Sequence, residues 1–313
     1  MKSVGALNKA IKKMKKGQYT LQELGLTEED INVLSNNYNI KNQYDIIKNK
    51  RVYYIVEKDD LAYIVISGME KNKRQEIKIM QLGDIHAGNK FFDAEGLRRT
   101  LKTAVDKGVK YVHIAGDLID GHNMFRGQNF ELDEITAEGQ INLLINIFLD
   151  YDLYYIATKG NHDNSFCIDG SYNPLKVLEL RMIEKGGHFT YLDSYEGNIV
   201  HCGVIFRLIH LAGANSRSKS YKVQTFIDNT LESSGNDCIL GDKQYNIRSV
   251  QAGHFHTLYS FCIYGIDAGT TGNFKYDSGY VTRMGTKVTT GSIYKRFVFK
   301  NGQIIEEEQE YIF

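Results

Sequence analysis

EIKIMQLGDIH (Glu76–His86) decides the architecture. Its apolar positions Ile77, Ile79, Met80 and Leu82 run almost without interruption, the pattern of a strand buried on both faces. Working outward, the pattern returns in YVHIAGDLID (Tyr111–Asp120) and LYYIATKGNHD (Leu153–Asp163), with helical stretches around AEGLRRTLKTAVDKG and up to INLLINIFL between them. Strands alternating with helices in this way predict an α/β domain whose sheet is covered by helices. Each strand runs into polar residues at its carboxyl end: Asp84 and His86, then Asp117, then Asn161 and His162. Ligands of open α/β sheets bind beyond the carboxyl ends of the strands, so the three clusters are expected to converge.

The second half turns β-rich. Pro174 opens the helix PLKVLELRMIEKGG and Gly186-Gly187 closes it. NIVHCGVIFRLIHLAG reads as a hairpin turning at Gly203, a helix follows near YKVQTFIDNTLES, and SVQAGHFHTLYSFCIYGIDAGTTG and VTTGSIYKRFVFKNGQIIEEEQEYIF supply further strands. Here His210 ends a strand, and alternation puts His254 and His256 of AGHFH on one face with Phe255 on the other. Carboxylate, carboxamide and imidazole together make a mixed N/O ligand set that suits Mn, Zn, Fe or Ni without choosing among them.

Residues 1–66 read differently. A Lys-rich start (Lys2, Lys9, Lys12, Lys13, Lys15, Lys16) carries no acid before Gln18, and Thr20 and Thr27 are set as N-caps of two short helices. RVYYIV and LAYIVI, separated by Glu57–Asp60, suggest a hairpin, so the order is that of a winged helix. The polar stretch Ser67–Gln75 marks the expected boundary between an accessory domain (1–70) and a main domain (76–313).

Bulk properties bound the function. Hydrophobic residues make up 42% and charged residues 24%, the balance of a folded globular chain. The 38 Lys+Arg cancel the 38 Asp+Glu, so any attraction for nucleic acid has to be local. No apolar run reaches the roughly 18–20 residues of a membrane span and no signal peptide is evident, so a cytoplasmic protein is expected. The four scattered cysteines suggest neither a thiolate metal site nor a disulfide framework.

Asp84-Ile85-His86, Gly116-Asp117-Leu118-Ile119-Asp120, Gly160-Asn161-His162-Asp163, His210 and Gly253-His254-Phe255-His256 follow one another in the order D-x-H, G-D-x-x-D, G-N-H-D/E, H, G-H-x-H. Over about residues 76–300 the chain thereby resembles the calcineurin-like metallophosphoesterase family. The resemblance implies a four-layer α/β/β/α sandwich with two divalent metal ions, manganese foremost. It implies Asp84, His86 and His256 on the first ion, Asn161, His210 and His254 on the second, and Asp117 bridging them. It further implies hydrolysis of a phosphoester by a hydroxide shared between the ions, with His162 giving a proton to the leaving group. Asp163 is expected to orient His162, and Asp120 to align a ligand histidine or the Asp117 loop. His201 competes with His210, which is preferred because Gly213 and a helix follow it. His113 is expected in the core, His122 beside the site or exposed, and His188 in a turn, while Asn123 and Arg126 are candidate phosphate contacts. A nucleotide or nucleic-acid phosphodiester is the favoured substrate, because a winged helix docks on DNA. The alternatives are a phosphomonoesterase such as a protein phosphatase, and a non-catalytic DNA-processing subunit that keeps the fold.

Overall fold

The computed structural model describes residues 2–55, 62–167, 172–213, 218, 220–240, 243–276 and 288–313. The chain begins with α1 (Val4–Met14), β1 (Tyr19–Thr20), α2 (Leu21–Leu24), α3 (Glu28–Ser35), β2 (Ile40–Asp45) and β3 (Lys50–Ile55). Thr20 and Thr27 start α2 and α3 with capping boxes, in which the hydroxyl accepts the N–H of Glu23 or Asp30 and that residue's carboxylate accepts the threonine N–H. Ala10, Ile11 and Met14 of α1 pack with Leu24, Ile31, Leu34 and Tyr53 into a small core of their own. The strands of this module form an antiparallel sheet in the order β1-β3-β2.

The hairpin of the module is not the one expected. β3 pairs with β2 rather than with the segment after it, and Glu57–Asp60 lie outside the described residues. Turn chemistry explains the choice: Asp45 Oδ1 accepts the N–H groups of Ile47 and Lys48 at 2.9 Å each, and Asn49 takes a φ of 52°. The following segment becomes β4 (Ala62–Val65), which pairs in parallel with β9 (Glu196–His201) of the main body. Ile64 of β4 packs between two sheets and Tyr63 packs on the far side, so this strand needs cover on both faces, which a two-stranded wing cannot supply. Ser67–Gln75 therefore follows the first strand of the main body instead of preceding it.

β5 (Arg74–Leu82), β6 (Tyr111–Ala115), β7 (Tyr154–Thr158) and β8 (His188–Tyr191) lie side by side in parallel, linked by α4 (Ala94–Asp106), α5 (Ala137–Phe148) and α6 (Pro174–Glu184). The antiparallel strands β15 (Ser292–Lys300) and β16 (Gln303–Ile312) extend this sheet to the order β16-β15-β5-β6-β7-β8. The second sheet runs β13-β14-β12-β10-β9-β4, built from β10 (Val204–His210), β12 (Lys243–Gly253), β13 (Tyr259–Ile263) and β14 (Ile266–Thr270), with β11 (Asp237–Leu240) pairing off β12. Cys202 and Gly203, with φ of 51° and 74°, make the tight turn between β9 and β10.

Strand periodicity sorts the side chains into layers. Along β10, Val204, Phe206 and Leu208 enter the core between the sheets, whereas Ile205 and Ile209 join Val223 and Ile227 of α7 (Tyr221–Ser234). On the opposite outer face Leu97, Leu101, Leu144, Phe148 and Leu178 of α4, α5 and α6 cover Met80, Leu82, Val112 and Tyr155. The layers are helix, sheet, sheet, helix. The N-terminal module is seated against this body through buried groups, since Tyr44 and Ile46 belong to the core between the sheets. Fully buried Glu179 of α6 accepts the N–H of Tyr44 at 3.3 Å and of Tyr191 at 3.0 Å, with Lys176 at 2.9 Å and Arg51 at 3.5 Å.

Candidate metal centre

The expected ligands stand together where both sheets end. Asp84 and His86 follow β5, Asp117 follows β6 and Asn161 follows β7, while His210 closes β10 and His254 and His256 follow β12. β10 and β12 run in parallel with His210 opposite Gly253, which sets His254 beside it. The ligand atoms gather in two groups, Asp84 with His86 and His256, and Asp117 with His210 and His254, in each of which they lie within 4.8 Å of one another. Asn161 Oδ1 joins the second group, 3.0 Å from His210 Nε2 and 3.1 Å from His254 Nδ1. Asp117 Oδ2 faces both, 3.3 Å from His210 Nε2 and 3.9 Å from His86 Nε2.

The backbone is bent to make this convergence. Asp84, His86, Asp117, His254 and His256 have positive φ of 50°, 55°, 51°, 94° and 51°. An L-residue there is strained by about 1–2 kcal/mol, although Asp and His tolerate it better than most. Such strain persists where the surroundings over-determine the conformation, and here they do. The Asp84 carboxylate accepts the His254 N–H at 2.9 Å, its own N–H donates to Gly116 O at 3.0 Å, and Asp117 Oδ1 accepts the His162 N–H at 2.9 Å. Gly160 has to be glycine, because a Cβ would stand 1.9 Å from Asp117 Oδ1.

Charge and tautomer suit this set to cations. His210 Nδ1 donates to Ala115 O at 2.8 Å, turning Nε2 inward, and His254 Nε2 donates to Gly213 O at 3.0 Å, turning Nδ1 inward. His86 Nδ1 faces the Asp120 carboxylate at 2.9 Å, which leaves Nε2 for the site, 3.0 Å from His256 Nε2. Burial, with Asp117 beside it, pushes the Asp84 carboxyl up to about 8 against the pull of His210. Burial would raise Asp117 as well, but His210, His162 and His86 hold it well below the usual carboxylate range. Burial, with Lys275 and His162, lowers His86 to about 4, and burial also lowers His254 and His256. His210 goes the other way, up to about 10, because Asp117 and Asp84 outweigh its burial. His86, His254 and His256 are thus held neutral and free to ligate, while the proton His210 keeps beside Asp117 and Asp84 marks a place where a cation would offset the same carboxylates, so the residues present fit divalent ions.

A family model for calcineurin-like phosphoesterase matches residues 77–280. The chain belongs to the calcineurin-like phosphoesterase family. Membership implies divalent metal ions and accounts for the metal-capable groups just described. Among curated proteins it is similar to the DNA polymerase II small subunit of Halobacterium salinarum, 29% identical over 141 residues, which are 44% of this chain and 27% of that protein. It is also similar to the DNA polymerase II small subunit of Methanocaldococcus jannaschii, 33% identical over 103 residues, 28% of this chain and 17% of that protein. The match thus spans well under a third of these relatives' length. Among solved structures it is similar to an archaeal phosphodiesterase, with a TM-score of 0.43, 15% identity and coverage of 75% of this chain and 99% of that one. Vps29 of Entamoeba histolytica gives a TM-score of 0.36 at 11% identity, covering 76% and 100%.

The remaining site residues divide by what they touch. His162 stands edge-on to His86, ring centres 4.5 Å apart, and its Nδ1 donates to Asp120 O at 2.6 Å, leaving Nε2 as its other ring nitrogen. Asp163 does not orient that ring. Its carboxylate is turned to the main chain, accepting the N–H of Ile119 at 3.0 Å and of Gly160 at 2.7 Å, so it ties the Asp117 and Asn161 loops together. Asp120 supports His86 and is itself held by Asn89 at 3.0 Å, Gln128 at 3.0 Å and Lys275 at 3.3 Å. These three supports were not anticipated, and Lys275, 155 residues away from Asp120, gives no local signal in the sequence.

The competing histidine stands elsewhere: His201 Nε2 meets His113 Nε2 at 3.1 Å inside the body, both rings fully buried. His122 stacks on Phe166 and His188 on Tyr154. Asn123 and Arg126 line an open cavity of about 360 Å³ with Phe125 and Phe130, in the loop that follows Asp120.

Proposed function

We propose that this phosphoesterase hydrolyses nucleotide or nucleic-acid phosphodiesters with two divalent ions, manganese being the expected pair. The observation that carries the reading is that Asp84, His86 and His256 gather as one group and Asp117, His210 and His254 as another, with Asp117 Oδ2 also 3.9 Å from His86 Nε2 of the first. Asp84, His86 and His256 would hold one ion, Asn161, His210 and His254 the other, with Asp117 shared. Such a pair supplies neutralisation of the phosphoryl oxygens and a water acidified toward neutral pH. The protein's own part is positional. Asp120 O fixes His162 through Nδ1, so that His162, when protonated, donates from Nε2 to the departing oxygen. Asp163 holds two ligand loops at one spacing by bonding the main chain of each.

The preference for a diester in nucleic acid draws on reading the N-terminal module as winged-helix-like, a reading supported by its order of helix, strand, two helices and hairpin. α3 opens with Glu28, Glu29 and Asp30, so phosphates would be met instead by exposed Lys9 and Lys12 of α1 and by Lys16 in the turn that follows it. A second reading is a non-catalytic DNA-processing subunit that keeps the fold; its DNA-processing part is supported by the similarity to DNA polymerase II small subunits. Metal analysis, together with turnover of a small aryl phosphodiester and the matching monoester in Mn²⁺, separates the readings. Diester turnover exceeding monoester turnover, with about two ions retained per chain, is the expected result. The absence of both turnover and retained metal would leave the second reading standing.

A further inference from the structure

At the end of β7, just before Gly160-Asn161, the N–H of Lys159 donates to Ser194 O at 2.9 Å. The next residue, Tyr195, accepts the N–H of His210 on its carbonyl at 2.8 Å. Lys159 and Tyr195 are therefore tied by main-chain bonds and short sequence steps to two residues of the candidate centre. The Lys159 ammonium lies 4.9 Å from the centre of the Tyr195 ring, and Tyr195 remains 39% exposed.

The acids on either side of Tyr195 are matched by other cations: Asp193 pairs with Lys41 of β2 at 3.5 Å, and Glu196 with Arg207 at 3.2 Å. Among the described residues no carboxylate lies within ion-pair distance of Lys159. An aromatic ring with exposed surface and a cation with no carboxylate partner among the described residues, side by side next to the candidate centre, match one repeat of a single strand. The base stacks on the ring and the neighbouring phosphate meets the ammonium. In a duplex the base is already stacked and paired, and an isolated monophosphate has no second phosphate to offer.

We infer that Tyr195 and Lys159 form a ledge that binds the nucleotide flanking the scissile phosphodiester, so that the substrate is a flexible single strand. The inference rests on the phosphodiesterase reading above and names its substrate class. The test is anisotropy of a labelled single-stranded oligonucleotide with the full chain in Mn²⁺, in a His162→Asn background to hold turnover down. Tyr195→Ala is expected to weaken binding at least about tenfold and Tyr195→Trp to restore it, because stacking needs a ring and not the hydroxyl. Lys159→Gln is expected to lower the slope of log affinity against log salt by about 0.7, the loss of one single-strand phosphate contact. Thermal melting of each variant near that of the background keeps folding out of the comparison.

Undiminished binding by Tyr195→Ala, a loss that Tyr195→Trp fails to restore, or equal affinity for duplex overturns the ledge. Turnover of a small aryl diester by the otherwise unaltered protein is read separately. Turnover with no oligonucleotide binding removes the ledge alone, whereas ring-dependent oligonucleotide binding without turnover removes the hydrolase reading, and with it the scissile bond, and leaves a single-strand contact only.

Discussion

Asp117 and His162 stand one hydrogen bond apart and are expected to fail in different ways. Asp117→Asn keeps the shape but removes the charge that faces both ligand groups, so retained metal and turnover should fall together. The loss should exceed the roughly 10–100-fold that removal of an outer partner costs. His162→Asn should leave metal content in place while kcat drops by about 10²–10⁴-fold. Metal analysis beside steady-state rates distinguishes them, and an unchanged kcat in His162→Asn would end its assignment as proton donor. Asp120→Asn belongs to the outer-partner class, because its carboxylate faces His86 Nδ1. Metal affinity weakened by about 10–100-fold is expected there, read by titration with a competing chelator. Asp120 stands in a recognisable motif, but only the structure shows which histidine it serves.

At the scale of elements, β10 contributes to two apolar layers, the core between the sheets and the one under α7. Phe206 is 1% exposed and packs against Phe297 and Phe299 of β15 across the sheet interface. Phe206→Ala should cost about 3–5 kcal/mol, visible as a lower urea midpoint, and a loss below about 1 kcal/mol would contradict its place in the core. Strands of this kind were legible because alternation along Val204–Ile209 sends side chains to two different apolar cores. β4 was misjudged for a related reason. A short apolar run looks the same whether its partner is the preceding strand or one more than 130 residues later, and the pairing of Ala62–Val65 with Gly197–Val200 is of the second kind. The true hairpin was marked by Asp45 and Asn49, whose turn chemistry is local.

For the whole molecule, the His113–His201 pair links acid to stability. Burial lowers His113 to about 3 and His201 well below its ordinary value of 6.5, and His113 adds to the effect on His201. The unfolded chain therefore binds protons first, so the contribution is present above about pH 6.5 and is lost as pH falls toward the folded values. Melting temperature should drop from pH 7 to pH 5, and a His113→Leu/His201→Leu double variant should show a shallower dependence. An equal slope in that variant would place the acid sensitivity elsewhere. The N-terminal module bears on stability too. Deleting residues 1–55 removes Tyr44 and Ile46 from the core between the sheets and strips Glu179 of Arg51 and the Tyr44 N–H. The truncated chain should melt well below the full chain, and coincident melting would show that the module is an independent unit.

Three apolar strands, each running into Asp, His or Asn, together with a later Gly-His-Phe-His, determined by themselves the layered α/β body and the residues to look for at its end. Local alternation and strand-end chemistry are short-range properties, and a sequence displays them directly. The tertiary structure decided the rest: that β4 belongs to the second sheet, that Asp163 bonds the main chain instead of His162, that Lys275 reaches Asp120, and that Tyr195 flanks His210 with Lys159 over its ring. Each of these depends on segments distant in sequence meeting in one register, and register is set by packing across both sheets at once.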